Sequence, residues 1–134
     1  MNKVVHFEIP FDDKERSQKF YSEVFGWGIN DMPEMNYTGV TTVETDENMV
    51  PKELGAINGG MMARGQFEGK PSDIMPTGPV IAMEVDSIDD HLEKVKAAGG
   101  EVIMDKVDLG EMGFYVYVKD TEGNIIGIWE APKK

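Results

Sequence analysis

The chain has no cysteine, only two arginines and only two histidines in 134 residues. Without thiols there can be no disulfides, thiol nucleophiles, zinc ribbons or iron–sulfur ligation, which suits a reducing compartment; the expected location is the cytoplasm. Long apolar runs are missing as well. The longest are short segments such as Phe114–Val118 and Ile125–Trp129, far below the roughly 20 residues that cross a bilayer. No signal peptide is expected either, since Met1 leads directly into a strand-like segment containing Glu8. Arg16 and Arg64 alone offer bidentate forks, so carboxylate-rich substrates find little grip. Basic residues number 13 against 25 acidic ones, for a net charge of −12. Phosphate backbones and anionic membranes are therefore repelled, and neither is an expected partner. Acidity keeps such a chain in solution and would also attract a cationic ligand. What is plentiful is methionine, with ten residues, mostly expected as core filler and suited in part to lining an adaptable pocket. The length and a 40% apolar content fit one compact domain over residues 1–134.

The two halves repeat. Residues 3–30 and 77–104 superpose without a gap, so that His6–Ile9 corresponds to Val80–Met83, Asp12 to Asp86, Gly26 to Gly100 and Ile29 to Ile103. Each half reads as strand, helix and three strands. The first helix is expected to start after Asp12 or Asp13, whose carboxylates can accept the free amides of the opening turn. Its buried stripe is expected at Phe20, Tyr21, Val24 and Phe25, by helical spacing. The second helix starts at Ser87, buries Ile88, Leu92, Val95 and Ala98, and stops at Gly99. Further strands are expected at 28–31, 37–44, 56–63, 101–105, 114–119 and 124–130, the last two joined by the turn Asp120-Thr121-Glu122-Gly123. Residues 66–79 carry three prolines and two glycines and read as a linker between repeat one (1–65) and repeat two (80–134).

His6-Phe-Glu-Ile-Pro followed by Asp12, Asp13, Phe20-Tyr21 and Phe25-Gly26-Trp27 resembles the vicinal oxygen chelate superfamily of glyoxalase I, bleomycin-resistance proteins and extradiol dioxygenases. Val80–Asp86, Ala97-Ala98-Gly99-Gly100 and the run from Asp120 to Ile126 resemble its second repeat. The resemblance implies an α+β fold of two β-α-β-β-β repeats, a curled mixed sheet around a shared cavity, and a homodimer. It also implies metal ligands on the first and last strands of each repeat. Those positions fall at His6, Val80 and Gly127, with Gly59, or Gly60 one register step away, as the fourth. A valine and two glycines offer no lone pair, whereas a catalytic ion usually needs at least three protein donors.

Other residues on those strands fill part of the gap. Glu8 shares a strand face with His6, and Glu84 with Val80, so His6, Glu8 and Glu84 are the alternative ligands for a divalent metal. Glu130, three residues beyond Gly127, falls on the opposite face. Trp129 shares the face of Gly127 as an aromatic wall, with Tyr115 and Tyr117 one strand away. His91 is expected on a solvated helix face. Serines occupy helix, linker or cap positions, none on a glycine-flanked elbow. The expected function is metal-independent binding of a small organic molecule at His6, Glu8, Gly59, Val80, Gly127 and Trp129, with no cofactor. The alternatives are a metal-dependent enzyme of the lactoylglutathione lyase or dioxygenase kind, and an interaction protein whose sheet edges pair with another chain.

Overall fold

A computed structural model of the chain describes residues 1–64 and 78–133. The linker expected at 66–79 lies outside the described residues except for Gly78 and Pro79. Two compact units are present: the N-terminal one runs from His6, and the C-terminal one combines residues 1–5 with the chain from Val80 onward.

The N-terminal unit holds β1 (Val4–Phe11) from His6 onward, α1 (Lys14–Phe25), β2 (Gly28–Met32), β3 (Tyr37–Thr41) and β4 (Gly59–Ala63). β1 pairs with β4 in parallel, and β4–β3 and β3–β2 are antiparallel, giving the order β2-β3-β4-β1. Asp13 caps α1 by accepting the amide of Arg16, and Gly26 ends the helix at φ 71°, a left-handed conformation that costs glycine little.

The stripe expected to be buried on α1 is not. No α1 residue is buried, and Phe20, Val24 and Phe25 are 52%, 57% and 59% exposed. The helix is tied to the sheet largely through polar side chains. Gln18 donates to Asp31 at 2.8 Å and to Thr38 at 3.4 Å, Thr38 donates to Asp31 at 2.7 Å, and Lys14 pairs with Asp31 at 3.3 Å. The hydrogen bond from Thr38, with those from Gln18 and Lys14 and against the cost of burial, holds the Asp31 carboxyl below its usual range. The rings pack among themselves, with Tyr21 stacked on Trp27 at 4.8 Å and Trp27 against Phe7 at 5.4 Å. Helical spacing correctly put these side chains together but could not say what lay against them.

The C-terminal unit holds β5 (Val80–Val85), α2 (Ile88–Ala97), β6 (Glu101–Val102), β7 (Val107–Asp108), β8 (Phe114–Lys119) and β9 (Ile125–Glu130). β5 and β9 are parallel, β9 and β8 antiparallel, and both β6 and β7 pair antiparallel with β8. Its core is Val85, Ile88, Val116, Val118 and Ile128, with Leu92 and Val95 packed against it. Ala98, expected in that stripe, is exposed, because α2 ends just before it. Ser87 caps α2 through the Asp90 amide. Glu130 completes the cap by accepting the Ile88 amide at 2.8 Å, consistent with its place on the helix side of the sheet. The Asp120 carboxylate accepts the amides of Glu122 and Asn124 and so closes the β8–β9 hairpin, with Gly123 at φ 82°.

Each unit is α+β and follows the expected β-α-β-β-β order, with β7 as an added short strand in the C-terminal one. Among the described residues no helix is long and apolar enough to cross a membrane.

Candidate functional site

Strand alternation puts His6, Glu8 and Pro10 on one face of β1 and Phe7, Ile9 and Phe11 on the other. Glu8 pairs with Gly60 and Gly60 with Gly39. Gly60, Gly39 and Tyr37 therefore share the face of His6 and Glu8, opposite the face that carries Thr38 and Asp31 and contacts α1.

Tyr37, not anticipated from the sequence, is central to this face. Its hydroxyl donates to Glu8 Oε2 at 2.7 Å and lies 2.8 Å from His6 Nε2. The two rings lie nearly parallel, 21° apart. To reach β1 from β3 the phenol must cross β4, and it does so at Gly60: a Cβ there would overlap the Tyr37 ring and hydroxyl. Glycine at 60 is thus a clearance that a hydrogen-bonded side chain fills.

Gly59 serves a different face. It pairs with Phe7, and a Cβ on it would overlap the Phe7 carbonyl and ring. In the C-terminal unit Ala82, the repeat equivalent of Glu8, pairs with Gly127, so the counterpart of Gly127 is Gly60. Gly59 lies one residue out of register with the expected position, and a one-residue shift exchanges the faces of a strand.

Glu8 is 7% exposed and, among the described residues, is one of two buried polar side chains, with Thr38. Burying a carboxylate is costly unless its oxygens are hydrogen-bonded. Burial also pushes the His6 pKa below its ordinary 6.5, against the opposing pull of the Glu8 charge, which favours neutral imidazole. A neutral imidazole, a phenol and a carboxylate joined by short hydrogen bonds can hold a ligand's polar atom or pass a proton along the chain.

The other expected site residues lie in the C-terminal unit. Val80, Ala82 and Glu84 alternate along β5, and Gly127 and Trp129 face the same way on β9 as Tyr115 and Tyr117 do on β8. Val80 is 1% exposed and offers no donor atom. A Cβ at Gly127 would come within 3.0 Å of the Ala82 Cβ, so close packing of β9 on β5 accounts for this glycine. Trp129 spends its indole N–H on the Met112 carbonyl at 2.8 Å. His91 is half-buried, bonded to the Ser87 carbonyl and to Asn2, and fastens the chain start to α2.

Among the described residues, no three His, Asp or Glu side chains are grouped to hold an ion. The donor set at the resemblance-implied positions does not fit a metal: only His6 carries a lone pair, and its Nε2 is engaged by Tyr37. Elsewhere in the N-terminal unit a hollow of about 380 Å³ is lined by Phe11, Arg16, Phe20, Tyr21 and Arg64 among others. Arg64 is paired with Asp12 at 3.0 Å, which offsets its charge there.

Residues 3–43 match the family model described as bleomycin resistance protein-like N-terminal. CFP32 of Mycobacterium tuberculosis (strain CDC 1551 / Oshkosh) is 33% identical over 119 residues, covering 89% of this chain and 42% of that protein. The chain thus spans less than half the length of this relative. A glyoxylase-like domain-containing protein of Didymella fabae is 29% identical, covering 95% of this chain and 92% of the relative. In fold the chain is similar to a glyoxalase/bleomycin resistance protein/dioxygenase superfamily member from Vibrio splendidus 12B01, at TM-score 0.60 and 15% identity over 97% of this chain and 99% of that one. It is also similar to a variant of Streptomyces coelicolor methylmalonyl-CoA epimerase in complex with 2-nitronate-propionyl-CoA, at TM-score 0.63 and 13% identity over 99% of each chain. The chain is thus similar to bleomycin resistance-like proteins in its N-terminal sequence, to glyoxylase-like relatives along most of its length, and to the glyoxalase/bleomycin resistance protein/dioxygenase superfamily member in fold.

Proposed function

We propose that the chain is a cytoplasmic, homodimeric binding protein that holds a small organic molecule on the sheet face at His6, Glu8 and Tyr37, without a metal. The observation that carries this is the half-buried His6–Tyr37–Glu8 chain laid across Gly60. A buried carboxylate and a half-buried imidazole cost stability that an apolar face would not, and functional sites are where such costs are tolerated. The structural neighbour solved with a CoA ester supports a small-molecule role in general. The homodimer follows from the resemblance and fits a relative more than twice as long as this chain. Light scattering at a mass of twice 14.9 kDa is the result expected for it.

The test of the binding role is a thermal-shift screen of small neutral organic compounds against the wild-type chain and Tyr37→Phe. Compounds should raise the wild-type melting temperature and lose much of that effect in the variant; a library with no hits would sink the proposal. A second reading, a metal-dependent lyase or dioxygenase, is favoured by His6 at the position that the resemblance gives to a ligand. Stoichiometric metal in protein purified without chelator, lost in His6→Ala, would establish it instead.

A further inference from the structure

We infer that the face at His6 selects an uncharged ligand that donates a hydrogen bond, such as an alcohol, phenol or amide, and discriminates against carboxylates and phosphates. This deepens the binding role just proposed and rests on it.

The proton count along the chain sets the polarity. A carboxylate has no proton to give, so the bond between Tyr37 and Glu8, at 2.7 Å, takes the phenol's single proton. The Tyr37 oxygen is then left only as an acceptor. His6 Nε2, 2.8 Å away, must therefore carry the proton of that contact. Neutral imidazole has one N–H, which leaves Nδ1 as a bare lone pair with no hydrogen-bond partner among the described residues. Burial favours that neutral form.

A partly buried acceptor gains most from a ligand that brings its own proton. An anion brings only lone pairs to face this nitrogen, with no proton between them, and it must also approach a chain whose net charge is −12. Tyr37 thus acts as a positioning residue: it fixes the tautomer of His6 and need not touch the ligand.

The test uses the full chain, labelled with 15N, and three probes of matched shape: benzyl alcohol, benzyl methyl ether and benzoate. A long-range 1H–15N spectrum, with His6→Gln to assign the signals, should show His6 protonated at Nε2 and bare at Nδ1. Benzyl alcohol should then shift the Nδ1 resonance and bind about ten-fold more tightly than the ether or benzoate, the difference that one well-formed hydrogen bond supplies. A tautomer protonated at Nδ1 overturns the inference and leaves the binding role standing. So does benzoate or the ether binding as tightly as the alcohol. If none of the three perturbs His6, both the selection and the binding role fall.

Discussion

At Gly60 a hydrogen atom decides the geometry of the site. Gly60→Ala should push the Tyr37 ring off β4, separating the hydroxyl from Glu8, and cost about 1–3 kcal/mol as overpacking does. Urea unfolding measures this, and an unchanged midpoint would show that the ring shifts freely. His6 gives a pH dependence. Its folded pKa lies below 6.5, so on acidification the unfolded chain takes up the proton first. Stability is then full above about pH 6.5 and is lost as pH falls towards the lower folded value. In His6→Gln, whose amide can still donate to Tyr37, that decline should flatten, as read by thermal melts across the range. Asp31, held low chiefly by Thr38, acts in a separate window: its contribution is present above the ordinary 3.8 and is lost as pH falls below it. Little of this was legible beforehand. His6 and Glu8 were readable as neighbours on one strand face, because alternation is local. Tyr37 was not, because its partners are 29 and 31 residues away in sequence and only strand pairing brings them together.

The two helices began where their capping residues indicated, Asp13 and Ser87, since capping depends on a few adjacent residues. Their burial was less legible, since it depends on the sheet beneath. The same stripe pattern lies over a closed apolar core in α2 and over the polar group of Gln18, Thr38 and Asp31 in α1. Substitutions should report this contrast. Ile88→Ala should cost about 2–5 kcal/mol because Ile88 is fully buried, whereas Phe25→Ser should stay within about 0.5 kcal/mol. Denaturant titration of the pair checks it; equal losses would mean that the α1 rings are covered in solution. Glu130→Ala should remove the second cap of α2 and cost about 1 kcal/mol, by the same measurement.

Across the whole chain, the repeat was the most legible feature, because two copies of one strand-helix-strand pattern reinforce each other over many residues. Register was the least, since Gly59 and Gly60 are adjacent and only pairing with Phe7 and Glu8 separates their faces. Charge acts at this scale as well. With 25 acidic residues against 13 basic ones, self-repulsion should be screened by added salt, raising the melting temperature between low ionic strength and about 0.5 M sodium chloride. A melting temperature that falls with salt would mean that ion pairs such as Lys14–Asp31 outweigh the repulsion.

The chain's two tryptophans are divided between the units, Trp27 stacked on Tyr21 in one and Trp129 bonded to Met112 in the other. Replacing either with phenylalanine leaves a single indole fluorophore, so emission can follow the melting of each half of the molecule on its own.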